Sequence, residues 1–177
     1  MSDTERVVEI RGSRVTLARF RTSDFDAVHA FASDPVVCQF TTWGPNTAED
    51  THAFIAEATA RMNDGYLLAV VLDEDVVGSA AVWTTSQGDR TGEFGYTIRR
   101  DCWGRGLGTE AATLLMRLGF DRLGLERLAA TCAPDNIGSI RVLEKAGLRR
   151  EGLLRGHVLL RGQRRDSLVF GRLVTDT

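Results

Sequence analysis

Cys102-Trp103-Gly104-Arg105-Gly106-Leu107-Gly108-Thr109 lies between a strand pattern and a helix pattern, and the architecture of the chain follows from it. Three glycines at alternate positions admit backbone conformations that other residues resist, and they leave no side chains in the way. Successive N–H groups then point into one hollow. The start of a helix adds unpaired amides and the positive end of its dipole. Such a loop fits a pyrophosphate. A nucleoside triphosphate loop needs Gly-Lys-Ser/Thr, and the only lysine, Lys145, stands far away. A dinucleotide fingerprint needs glycine where Thr109 stands, and a parallel βαβ setting. A coenzyme A pyrophosphate remains, and beside it a tight loop holding no ligand stays open.

Upstream of the loop, Glu93 to Ile98 reads as a strand. It follows a hairpin of Tyr66 to Leu72 and Val76 to Thr85, joined at Asp73-Glu74-Asp75, and a polar turn bracketed by Gly88 and Gly92. Gly95 inside that strand signals a bulge, a close backbone approach or a packing glycine. Downstream, Ala111, Leu114, Leu115, Leu118 and Phe120 give a helix, and Leu128 to Cys132 a strand. Asn136 caps a last helix through Ala146 that Gly147 closes. Two strands finish the chain, about Glu151 to Leu160 and Asp166 to Val174, turning at Arg161-Gly162. At the other end, Val15 to Phe20 is the first strand. Ser23 or Asp24 caps a helix carrying Phe25, Val28, Phe31 and Ala32, which Asp34-Pro35 ends. A second helix starts near Thr47, with Glu49 and Asp50 opposing its dipole, and runs to about Asn63-Asp64-Gly65. The order is β-α-α-β-β-β-α-β-α-β-β. Successive hairpins exclude a fully parallel sheet, so the expected class is α/β (α+β), a mixed, mostly antiparallel central sheet flanked by helices.

A length of 177 residues suits one domain. The net charge of −2 and pI of about 5.9 give no general attraction to nucleic acid. Apart from Lys145 the basic residues are all arginines, a bias read as codon usage in a GC-rich genome. Cys38, Cys102 and Cys132 are odd in number and far apart, which speaks for a reducing compartment and against a disulfide framework or zinc cage. Met1 to Arg11 holds no apolar signal core, and no apolar run approaches membrane-spanning length. The expectation is a cytoplasmic protein with no membrane, nucleic-acid or metal partner. His29 and His52 show no ligand or triad spacing, and neither His-Glu-x-x-His nor Gly-x-Ser-x-Gly occurs.

Trp103 to Ala111 resembles the coenzyme A loop of the GNAT acetyltransferases, and most closely the branch named for the RimJ/RimL enzymes that acetylate ribosomal-protein N-termini. Gly92-Glu93-Phe94-Gly95-Tyr96-Thr97-Ile98 is similar to that family's fourth strand. Pro134 to Leu148 is similar to its final helix, and Glu151-Gly152 with Gly162 and Asp166 to its closing strands. The resemblance extends from about Val15 to Val174. The family's loop usually carries Gln or Arg where Trp103 stands, and an aromatic there is frequent in the RimJ/RimL branch.

The resemblance implies transfer of an acetyl group from acetyl-CoA to a primary amine, by direct attack in a ternary complex. The fourth and fifth strands would splay, with the pantetheine arm bonded to backbone at Tyr96, Thr97 and Ile98. Trp103, Gly104, Arg105, Gly106, Leu107, Gly108 and Thr109 would hold the diphosphate, with Arg105 and Arg141 as phosphate neighbours. A backbone donor on the thioester oxygen would contribute ~3 kcal/mol. Only about one-tenth of an α-amino group is neutral at pH 7, and far less of a lysine, so a base helps. Glu93 is the candidate, with a solvated strand-end glutamate as the alternative. The family's helix tyrosine is missing, so Ser139 is the candidate for stabilising the leaving sulfur, unless it only bonds backbone. Asn136 would bond the pantetheine arm, cap the helix, or both. Trp43, Trp83 and His157 would line the acceptor groove or serve as packing. The acceptor is a protein N-terminus, a lysine or a small-molecule amine. A longer donor such as succinyl-CoA, a coenzyme A sensor without turnover, and a monomer or homodimer all stay open.

Overall fold

The computed structural model describes residues 5–60 and 62–176. Their strands form one eight-stranded sheet in the order β1-β2-β3-β4-β5-β6-β8-β7. Its members are β1 (Val8–Arg11), β2 (Val15–Ala18), β3 (Gly65–Leu72), β4 (Asp75–Ser86), β5 (Thr91–Ile98), β6 (Arg127–Cys132), β7 (Arg149–Leu160) and β8 (Gln163–Leu173). Neighbours run antiparallel except β5 and β6, which are parallel. The mixed, mostly antiparallel sheet expected from the hairpins is therefore found.

Helices α1 (Phe25–Ala32) and α2 (Ala48–Thr59) cover one face, and α3 (Leu107–Asp121) and α4 (Ile137–Lys145) the other. The stripe Leu107, Ala111, Leu114, Leu115 and Leu118 recurs at helical spacing and buries against Leu68, Val70, Val82, Phe94 and Leu128. At about 25 cal/mol per Å² of apolar area, these buried chains dominate the stability of the fold. On the opposite face Val28, Phe31 and Ile55 pack over Ala69 and Val76. Thr47 and Asp50 form a capping box on α2, each side chain accepting the other's backbone N–H. Gly147, at φ +88°, ends α4, and the Leu148 N–H reaches back to the Leu143 carbonyl at 3.0 Å.

Four sequence expectations change here. Asp24 stands at the N-cap of α1, but its side chain makes no capping hydrogen bond there. The Asp24 carboxylate instead takes both Arg6 guanidinium nitrogens, at 2.8 and 2.6 Å, and the Arg21 N–H. Helix α2 stops at Thr59, not near residue 63, because the chain needs the following residues to return and start β3 at Gly65 opposite Trp83. Strand β1 was not expected; Val8 and Ile10 alternate over too few residues to stand out. The register also runs unbroken through Gly95, and the irregularity in β4–β5 falls at residues 84–86. Gly95 is no bulge.

Candidate active site

Strands β5 and β6 pair over residues 91–93 and 127–129 only, and then part. Beyond that point β5 continues along β4 to Ile98, and β6 continues along β8 to Cys132. Main-chain groups alternate sides along a strand. The Thr97 carbonyl lies against Gly78 of β4, and the Arg99 N–H bonds the Val77 carbonyl. Tyr96 and Ile98 therefore turn their N–H and C=O groups the other way, into the gap. Of the three residues assigned to this strand's ligand bonds, Tyr96 and Ile98 face the opening and Thr97 faces β4. The Ile98 carbonyl already accepts from the Trp103 indole N–H at 2.6 Å. This bond fixes Trp103 beside the gap, half exposed.

The glycine loop sits at the same end of the sheet. Gly104 and Gly106 have φ of +71° and +78°, which side chains disfavour, whereas Gly108 is required by closeness. A methyl there would stand 3.3 Å from the Tyr96 ring and 3.4 Å from Val142. Leu107 is buried and starts α3, Thr109 follows in its first turn, and the Arg105 and Arg141 side chains are exposed. The turn thus leaves helix N–H groups open to an anion without crowding from Cβ atoms.

At the start of α4, the Asn136 side-chain oxygen accepts the Ser139 N–H at 3.1 Å, the cap expected of it. The Tyr96 ring comes up beside Ser139. Its hydroxyl is buried with no hydrogen-bond partner among the described residues, and burial pushes its pKa up to about 12, although nearby Ser139 opposes the rise. Sequence reading discounted this tyrosine because it is absent from the last helix; the fold nonetheless delivers its ring there. Cys132 is a further residue the sequence left unassigned. It ends β6 opposite Leu168, three residues beyond the last pair with β5, and burial raises its thiol to about 11. At pH 7 only about one part in ten thousand would be the nucleophilic thiolate, so the residue is a poor nucleophile.

A groove of about 1390 Å³ opens on the α1–α2 side of the gap. Its floor is Ala81 and Gly95, and a Cβ on Gly95 would meet nothing within 4 Å. Glu93 and Trp83 are register partners and both line it, as does Trp43 in the loop before α2. Glu93 is exposed to the groove and holds no ion pair among the described residues. Five carboxylates, from Asp50, Glu57, Glu93, Asp135 and Asp166, face two arginines, Arg164 and Arg165, so the lining favours a cation. His157 is not in the lining; its Nδ1 lies 3.0 Å from the Ser167 hydroxyl, which is. Arg161, at the tip of the β7–β8 hairpin, donates to the carbonyls of Cys38, Gln39 and Gly44 and ties the two walls together. Among the described residues no cluster of His, Cys, Asp or Glu is placed to hold a metal ion, and no helix is long and apolar enough to cross a membrane.

A mixed sheet parted between β5 and β6 beside a glycine-opened helix is the class of fold that the site belongs to. The model of the Acetyltransferase (GNAT) domain matches residues 14–149, and the chain belongs to that family. It is therefore an acyl-CoA-dependent acetyltransferase. YnaD of Bacillus subtilis (strain 168), an uncharacterized N-acetyltransferase, is 31% identical over 148 residues, covering 84% of this chain and 86% of its own. The uncharacterized N-acetyltransferase p20 of Bacillus licheniformis is 30% identical over 165 residues, 90% of this chain and 93% of its own. A GNAT-family acetyltransferase from Bacillus anthracis superposes with a TM-score of 0.83 at 30% identity, covering 93% of this chain and 97% of that one.

Proposed function

We propose that this protein moves an acetyl group from acetyl-CoA to a primary amine by direct attack in a ternary complex, in the manner of the RimJ/RimL branch. The observation that carries the reading is the parting of β5 from β6 between the glycine loop and an acidic groove. The donor would supply the activated acyl group. The turn from Trp103 to Thr109 would hold its diphosphate, and the gap-facing backbone of Tyr96 and Ile98 its pantetheine arm. The acceptor amine would enter along the groove, whose carboxylates attract its protonated form.

Glu93 would take the proton that the amine must lose, directly or through a water. The open floor at Gly95 lets the amine approach the strand from that side. Asn136 would hold α4 at the gap, and Ser139 would donate to the leaving sulfur. A Tyr96 phenol near pKa 12 stays protonated and cannot easily give its proton to a thiolate, so it serves as a neutral wall or donor. The neutral Cys132 thiol favours direct attack over an acyl-enzyme.

The test is thiol release from acetyl-CoA and succinyl-CoA against N-terminal peptides, lysine, polyamines and aromatic amines. Acetyl-specific release with at least one amine, by sequential and not ping-pong kinetics, is the expected result. Coenzyme A binding with no release from any amine would favour a sensor and sink the enzyme mechanism.

A further inference from the structure

We infer that Arg14 is a positioning residue for the diphosphate loop, holding the peptide plane between Arg105 and Gly106 so that its N–H faces the coenzyme. This rests on the coenzyme reading above. Arg14 lies in the tight turn between β1 and β2, about ninety residues before the loop in sequence. That turn is docked onto the first helical turn of α3 through one carboxylate. Glu110 accepts from the backbone N–H of Arg14 at 2.7 Å and of Val15 at 3.2 Å, from the Ser13 hydroxyl at 3.2 Å, and from Arg14 Nε at 3.0 Å. The packing is close, since a methyl on Gly12 would overlap the carboxylate. Held in this way, Arg14 extends across the loop. Its Nη1 donates to the Arg105 carbonyl, and Nη2 would stand 3.2 Å from a methyl on Gly106.

Two consequences follow from chemistry alone. In a trans peptide the C=O and the next N–H point in opposite directions. Drawing the Arg105 carbonyl toward Arg14 therefore turns the Gly106 N–H away from it, to the outer side of the loop where a diphosphate would sit. Gly106 permits this because it occupies φ +78°, where a side chain would resist the same plane. The second consequence is electrostatic. A glutamate in the first turn suits the helix dipole but would repel a bound diphosphate. Arg14 cancels the Glu110 charge at its source, so the pair presents no net negative charge to the loop.

The experiment compares wild type, Arg14→Gln and Arg14→Lys by calorimetric titration with coenzyme A, at a temperature where far-UV dichroism shows each folded. With whichever amine wild type turns over, KM for acetyl-CoA and kcat are measured alongside. Arg14→Gln is expected to weaken coenzyme A binding about tenfold or more, as loss of a charge-assisted hydrogen bond predicts. KM for acetyl-CoA should rise in step while kcat stays within twofold, and Arg14→Lys should recover part of the affinity. A folded Arg14→Gln that binds coenzyme A within twofold of wild type overturns the inference, as does a fall in kcat equal to the rise in KM. Should Arg14→Gln fail to fold, the lysine variant decides: affinity equal to wild type overturns the role, and a partial loss supports it. Wild-type protein giving no heat with coenzyme A overturns the coenzyme reading, and this inference with it.

Discussion

Glu93 lies directly across the β4–β5 ladder from Trp83, with its carboxylate in the groove and no cation paired to it among the described residues. As the base, it would matter most where the amine is protonated. Glu93→Gln should lower kcat by about a hundredfold or more near pH 7. The deficit should narrow as pH rises past the acceptor's own pKa, about 8 for an α-amine and about 10.4 for a lysine. A pH–rate profile superimposable on wild type would remove Glu93 from the mechanism. Glu110 has a different task. Burial alone would raise its pKa, but the N–H groups of Arg14 and Val15 and the Arg14 side chain outweigh that and hold it below the usual 4.5. A depressed carboxyl stabilises the fold above its unfolded pKa, and the benefit disappears as pH falls through the folded value. Glu110→Gln should therefore cost about 2 kcal/mol in urea unfolding at pH 7 and less at pH 3. An equal loss at both pH values would show that charge is not the cause.

At the level of elements, β8 is crossed by an ion pair joining its two neighbours. Arg127 of β6 donates to Glu151 of β7, with Nη1–Oε1 at 2.8 Å, directly over Gly171. A methyl on Gly171 would come within 2.3 Å of that carboxylate, so Gly171→Val must displace the pair or bend the strand. The clashing atoms end a flexible, exposed side chain, so the expected cost is that of the bridge, at most about 1 kcal/mol, read from the urea midpoint. A midpoint unchanged by the substitution would mean that the bridge yields freely. These elements also show why some of the protein was legible and some was not. Helix α3 announces itself through Ala111, Leu114, Leu115, Leu118 and Phe120, and the hairpins through their turn residues, because such signals are local. The parting of β5 from β6 has no local signal. Alternation tells which face a residue takes but never which strand lies beside it, so a resemblance to a family had to supply the splay. The clasp from Arg14 to the loop was illegible for the same reason: its ends are remote in sequence, and each looks like an ordinary surface charge. Tyr96 was legible as a strand residue, yet nothing local showed that its ring ends beside Ser139, in close contact with Gly108.

For the whole molecule, a ligand that binds only the folded state must stabilise it. At a coenzyme A concentration of a hundred times Kd the gain is about 2.7 kcal/mol, or roughly 5–10 °C in Tm for a chain of this size. A scan with no shift at millimolar coenzyme A would contradict the binding site. The sheet itself implies where that gain is felt. Hydrogen bonding across its middle amounts to the short parallel stretch at residues 91–93, so β1–β5 and β6–β8 are two leaves of a book with most of the spine left unstitched. Without a guest, the amides of Tyr96 and Ile98 should exchange with solvent deuterium as fast as those of a frayed edge, although they lie mid-sheet. A coenzyme arm lying between the leaves would complete the binding, and slow exchange at these amides would then mark the two leaves opening as one unit.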